Sequence, residues 1–169
     1  MKKSKLILII ARKGSKDNVS RQNLRLVNEK PLIYYIISTA KKCQSADVFV
    51  STDSEELQEI AFLNNVEVIK RPKSLITDST TLEEISYHAL IELKKMNKNY
   101  EKCLVLHPKF PLIKVSTINR FFSQLNKQKK SFFGFTSNDE HSFQKINSKN
   151  QRWTNVHSTF GKKILKANF

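Results

Sequence analysis

Lys5-Leu6-Ile7-Leu8-Ile9-Ile10 runs without a break into Ala11-Arg12-Lys13-Gly14-Ser15-Lys16. Six residues of mostly branched aliphatics read as a strand covered on both faces, since no polar residue alternates with them. A short basic loop with a glycine at the C-terminal end of such a strand is where α/β proteins hold anions. Backbone N–H groups close on phosphate oxygens there, and Lys or Arg supplies charge. Gly14 is the only glycine in this loop, so the stretch matches neither the Walker pattern nor the dinucleotide fingerprint.

The rest of the chain supports one α/β domain. At 169 residues it is long enough to bury a core, and 39% hydrophobic with 9% aromatic residues argues against disorder. No apolar run approaches the ~18 residues that span a bilayer. The basic start, Met1-Lys2-Lys3-Ser4-Lys5, precedes an apolar stretch too short for a signal peptide, so the expected compartment is cytoplasmic, with no membrane partner. Cys43 and Cys103 stand far apart and read as reduced packing residues. The net charge of +15 favours polyanions in general. The basic residues are scattered rather than gathered in a stripe, and Lys, Asn and Ile are abundant throughout. That pattern argues for compositional bias and against nucleic acid.

Helix and strand patterns alternate. A helix is expected from Pro31 to Lys42, with Pro31 in its first turn, then a strand over Asp47–Ser51. Ser54 caps a second helix to about Asn64, with Glu55 and Glu56 in its first turn. Val66–Ile69 is a third strand, broken by Arg71-Pro72. Thr80 or Thr81 caps a helix over 81–97, where Leu82, Ile85, Ala89, Leu90 and Leu93 fall at helical spacing. Lys102–His107 is a fourth strand, Ser116 caps a helix to about Gln128, and Ser131–Thr136 is a fifth strand. This order predicts a three-layer αβα, mostly parallel, Rossmann-like sheet, with ligands beyond the C-terminal strand ends. Segments 11–23, 51–53 and 107–113 lie there. The α/β domain is expected over 1–140. Residues 141–169 form a basic tail, with Lys145, Lys149, Arg152, Lys162, Lys163 and Lys166 but no acid.

Several stretches agree in order and spacing with one family. Ala11-Arg12-Lys13-Gly14-Ser15-Lys16 resembles the Ala-Arg-Gly-Gly-Ser-Lys loop of the CMP-acylneuraminate synthetases, a branch of the nucleotide-diphospho-sugar transferase type. Asn23-Leu24-Arg25, Lys30-Pro31-Leu32-Ile33, Val50-Ser51-Thr52-Asp53, Arg71-Pro72, Asp78-Ser79-Thr80-Thr81, Leu104-Val105-Leu106-His107-Pro108 and Glu140-His141-Ser142-Phe143 resemble further family motifs. The resemblance covers residues 5 to about 146.

It implies a cytidylyltransferase that joins CTP to an acidic nine-carbon 2-keto sugar with loss of pyrophosphate, aided by Mg²⁺. Arg12 and Lys16 match its triphosphate-binding positions, and Ser15 would offer loop donors. Arg21 is counted with them, since the family's Lys before Asn is Gln22 here. Asn23 matches a nucleoside contact, Arg71 a residue at the cytosine end, and Ser79 lies in the matching Asp-Thr-x-Ser segment. Asp53 is the carboxylate placed to hold metal. His107 replaces the Gln expected to read cytosine, and reads either as a general base or as an altered base contact.

The departures matter as much. Asp17 replaces a Gly beside the anion loop, and Lys109-Phe110-Pro111-Leu112-Ile113 replaces Thr-Ser-Pro-Leu-Arg. The family's Asp-x-Asp metal pair, its sugar contacts and its dimer-forming insertion belong to a segment beyond the match. A homodimer or a partner chain supplying that half is therefore expected. Two alternatives remain open: a degenerate homologue that binds nucleotide without turnover, and an interaction module using the basic tail and Phe110 loop on a protein or RNA.

Overall fold

The computed structural model describes residues 4–14, 21–127, 133–136 and 141–144. The chain divides into two compact units, Met1–Arg120 and Phe121–Phe169.

The first unit is built on four parallel strands: β1 (Lys5–Ile10), β4 (Asp47–Thr52), β5 (Glu67–Lys70) and β6 (Lys102–Leu106), in spatial order β5-β4-β1-β6. β1 is central. It pairs with β4 from Leu6↔Asp47 to Ile10↔Ser51 and with β6 from Lys5↔Lys102 to Ile9↔Leu106. β4 pairs with β5 from Phe49↔Glu67 to Thr52↔Lys70. Every residue from Leu6 to Ala11 is buried, as the unbroken aliphatic run requires of a strand with layers on both faces. Each such side chain taken out of water stabilises the fold by about 2 kcal/mol before entropy is counted.

The two faces have different covers. Leu6, Leu8, Ile10, Phe49 and Ile69 form one cluster with Ile85, Ala89 and Leu93 of α3 (Leu82–Lys95). Tyr100 closes its edge, meeting Phe49 edge-on and donating its hydroxyl to Asp47 at 2.8 Å. Ile7 and Ile9 alternate to the opposite face. α1 (Leu32–Lys41) lies against β1 and β4, and α2 (Glu55–Leu63) against β4 and β5. Ile33, Ile36, Ile37 and Ala40 of α1, with Leu57 and Ala61 of α2, are buried.

Local chemistry sets the helix starts. Ser54 Oγ accepts from the Leu57 N–H. Thr81, one of the two expected caps, accepts from the Glu84 N–H at 3.2 Å while Glu84 Oε2 accepts from the Thr81 N–H at 2.7 Å, a full capping box.

Three expectations are corrected. Pro31 precedes α1 rather than opening it. Its ψ of 143° is extended, and it pairs with Leu26 in a small hairpin, β2 (Leu26–Val27) with β3 (Lys30–Pro31). The tip residues Asn28 and Glu29 both have positive φ, as a tight two-residue hairpin turn demands. Ser116 lies inside α4 (Val115–Lys127) rather than capping it. The fifth strand, β7 (Phe133–Thr136), does not extend the parallel sheet. It pairs antiparallel with β8 (His141–Gln144), Phe133↔Gln144 to Thr136↔His141, as a ribbon in the second unit. Most of the expected basic tail, beyond Gln144, lies outside the described residues. No helix among the described residues is long and apolar enough to cross a membrane.

Candidate functional site

All four parallel strands deliver a polar residue to the same edge of the sheet: Arg12 after β1, Asp53 after β4, Arg71 after β5 and His107 after β6. This follows from topology, since parallel strands share a C-terminal edge and their connections leave from it. A cleft of about 240 Å³ opens there. Arg12, Gly14, Asn23, Arg71 and His107 line it from the strand ends, and Thr77 and Thr80 from the loop before α3.

Arg71 is the anchor of this edge and is only 3% exposed. Its amide donates to the Thr52 carbonyl at 2.9 Å. One guanidinium nitrogen donates to the Ser51 carbonyl at 2.9 Å and to the Ala11 carbonyl at 3.5 Å. One side chain thereby ties the ends of β5, β4 and β1. Burial lowers its proton affinity, nearby Asp53 raises it, and Arg12 lowers it. A guanidinium stays charged under such influences, so the cleft keeps a buried positive charge.

Asn23, in the short 3₁₀ turn Gln22–Leu24, donates its amide to the Arg12 carbonyl at 2.9 Å and is 5% exposed. Asn23 Oδ1 and Arg71 Nε are both buried and have no hydrogen-bond partner. A buried polar atom left unpaired is costly, and both atoms belong to residues that line the cleft.

The cations of the anion loop are held by carboxylates from other segments. Arg12 pairs with Asp78 at 3.1 Å. Arg21 pairs with Glu56 at 3.0 Å, and the Lys13 ammonium stands 3.7 Å from the same carboxylate. Ser54 Oγ donates to Glu56 at 2.6 Å and is the main reason that its carboxyl titrates below the usual range. Arg21 therefore reaches toward α2 and is not among the residues lining the cleft. Asp53 Oδ1 accepts the Lys13 N–H at 3.1 Å, which fixes the loop's exit from β1.

Of the remaining expected residues, Ser79 exchanges a hydrogen bond with Thr77 at 3.0 Å, and Thr77 with Thr80 at 2.8 Å. The hydroxyls on the cleft wall are thus those of Thr77 and Thr80, and exposed Ser79 is not among the lining residues. Ser15 and Lys16 lie outside the described residues. His107 accepts from the Lys109 amide, and its proton affinity is pushed down to about 4, chiefly by burial and then by Arg12 and Arg71. Sequence reasoning missed Asp78 and Glu56 as partners of the loop cations. Their only signal was an acid in each segment facing the loop.

Among the described residues no group of three His, Cys, Asp or Glu side chains could hold a metal ion. Asp53 stands as a single carboxylate. That fits a magnesium ion carried in by phosphates, which needs one or two carboxylates from the protein, and not one held in a protein cage.

Residues 6–168 match the family described as cytidylyltransferase. The chain belongs to that family. This cytidylyltransferase-family chain is 35% identical over 111 residues to an N-acylneuraminate cytidylyltransferase of Escherichia coli O18:K1:H7, covering 64% of the chain and 25% of that protein. It is 31% identical over 115 residues to a CMP-N,N'-diacetyllegionaminic acid synthase of Legionella pneumophila, covering 67% and 49%. A pseudaminic acid cytidylyltransferase of Campylobacter jejuni is 27% identical over 151 residues, covering 86% and 65%. The chain spans between a quarter and a half of the first two relatives. Among solved structures, a cytidylyltransferase from Leptospira borgpetersenii aligns with a TM-score of 0.61 at 19% identity, covering 78% of this chain and 53% of that one. A CMP:2-keto-3-deoxy-manno-octonic acid synthetase complexed with CTP aligns with a TM-score of 0.58 at 17% identity, covering 73% and 47%. At these identities the structural matches establish the three-layer α/β fold.

Proposed function

We propose that the cleft binds CTP and that the chain takes part in transferring its cytidylyl group to an acidic nine-carbon 2-keto sugar. The observation that carries this reading is the convergence of Arg12, Asn23, Arg71 and His107 on one cleft beyond the C-terminal strand ends. Guanidinium and amide groups on its wall are the kinds of donor and acceptor that phosphates and a pyrimidine edge require. Family membership supplies the reaction class.

In the reaction the sugar's anomeric hydroxyl oxygen bonds to the α-phosphorus as the bond to the bridging oxygen of the β-phosphate breaks. Pyrophosphate leaves, and the hydroxyl proton passes to solvent. The protein's part is positioning and charge neutralisation. Arg12 and Lys16, with Ser15, are assigned to the triphosphate; Arg21, held by Glu56 away from the cleft wall, is not. Asn23, Arg71 and His107 are assigned to the nucleoside, with Thr77 and Thr80 taking the place on the cleft wall expected of Ser79. A magnesium ion arriving with the triphosphate would take Asp53 as its protein ligand and would neutralise phosphate charge.

Titration calorimetry tests the reading with CTP and ATP, with and without Mg²⁺, on the chain and on Lys16→Ala. CTP-selective binding that Lys16→Ala weakens by about tenfold or more is expected, the scale of a lost charge-assisted contact. No uptake of either nucleotide at millimolar concentration overturns it. A second reading, nucleotide binding without turnover, is favoured by the pairing of the loop cations Arg12 and Arg21 with Asp78 and Glu56. Pyrophosphate release in the presence of a 2-keto sugar acid separates the two. Activity that appears only on adding a second chain would point to a partner completing the site.

A further inference from the structure

Glu56, the second residue of α2, reaches both ends of the segment that follows β1. Its Oε1 accepts from the Arg21 guanidinium at 3.0 Å, and its Oε2 stands 3.7 Å from the Lys13 ammonium. Each of these cations adjoins a residue of the cleft wall: Gly14 follows Lys13, and Gln22 follows Arg21. Glu56 itself does not line the cleft. One carboxylate outside the cleft thus joins the two points where this segment enters and leaves its wall.

The carboxylate is held in turn by the start of α2. Ser54, 1% exposed, donates its hydroxyl to Glu56 Oε2 at 2.6 Å and accepts from the Leu57 N–H at 3.4 Å. Asp53, from the same β4–α2 turn, accepts the Lys13 N–H at 3.1 Å. The other end has more need of support. Arg21 has φ 53° and ψ 35°, the left-handed region that a residue with a Cβ enters at a cost. From there the chain turns, with the Leu24 amide donating to the Arg21 carbonyl at 2.9 Å, and brings the Asn23 amide to the Arg12 carbonyl at 2.9 Å. A shift of Arg21 would carry Asn23 with it.

We propose that Glu56 is a positioning residue for nucleotide binding, acting through Lys13 and Arg21 and touching no ligand. This rests on the nucleotide reading of the cleft. The proposal has a sign that plain electrostatics does not share. As a charge near an anion site, Glu56 should repel phosphate, so its neutralisation should tighten binding. As a clasp it fixes the wall, so its neutralisation should weaken binding. The pairs are partly exposed and screened by salt, whereas misplacement of the wall acts on every contact made there.

The test is calorimetric titration of CTP into the wild-type chain, Glu56→Gln, Arg21→Gln and the double variant. Glu56→Gln should weaken CTP by about fivefold, the upper range for a partly exposed ion pair, although it makes the chain more basic. The double variant should lose no more than the weaker-binding single variant, as two residues acting through one contact require. Glu59→Gln, the same change of charge about one turn along α2, should leave the affinity within about twofold of wild type. Unchanged or tighter binding by Glu56→Gln, or additive losses in the double variant, overturns the proposal. Limited trypsin digestion supplies a readout that needs no ligand. Cleavage after Lys13 and Arg21 should quicken in Glu56→Gln by the same factor, since it follows the population of the opened segment, while the urea midpoint stays close to that of the wild type. Equal cleavage rates overturn the clasp even where CTP binding falls. If the wild-type chain takes up no CTP, the nucleotide reading fails and the role in binding with it, while the digestion still reports the clasp.

Discussion

His107 links a local turn to the stability of the whole chain. In the unfolded chain a histidine takes its proton near pH 6.5, whereas in the folded chain His107 takes it only near pH 4. As pH falls from 6.5 toward 4, the unfolded state gains a proton that the native state refuses, and stability is lost across that window. The loss is at most about 1.4 kcal/mol per pH unit. Urea midpoints at pH 7 and pH 5 should therefore fall further for the wild type than for His107→Gln, which has no such group. Equal falls would show that the ring titrates normally. The positions of Arg12, Asp53, Arg71 and His107 were legible in the sequence because each sits just past a strand whose end could be read, whereas Asn23, in a 3₁₀ turn, was reached only through the family resemblance. The partners were not. Asp78 and Glu56 are brought to Arg12 and Arg21 by chain reversals, and no local pattern marks an acid as the neighbour of a particular cation.

At the scale of the element, periodicity and caps carried most of the information. α3 was readable because its apolar stripe and its capping residue coincide. The same Thr81 should have a measurable weight. Thr81→Ala removes the acceptor for the Glu84 N–H and should destabilise the chain by about 1 kcal/mol in urea unfolding, while Thr81→Ser retains most of it. A neutral Thr81→Ala would mean that α3 is fixed by packing against the sheet alone. The β2–β3 hairpin escaped the reading because strands of two residues show no alternation, and its turn uses Asn28-Glu29 in place of a glycine-bearing pair. β7 was read as a strand, but which strand it joins is a matter of long-range pairing, and the nearby β8 takes it.

At the scale of the molecule, the parallel order β5-β4-β1-β6 places the most apolar strand at the centre, and this has a cost in time. β1 meets β6 only after nearly a hundred further residues have been added, the distance from Lys5 to Lys102. At ribosomal speed that interval is about 5–20 s. Throughout it the backbone edge of β1 that β6 will cover has no strand to pair with, and Leu6 to Ile10 are the kind of segment on which growing chains stick to one another. A chain stopped at residue 100 should be cleaved within β1 by dilute protease or should precipitate, and one extended to residue 127 should resist. Equal resistance would mean that β4 and the helices suffice to shield it. In a cell, the demand this fold makes on chaperones is thus set during translation, by how long its first strand waits for its last neighbour.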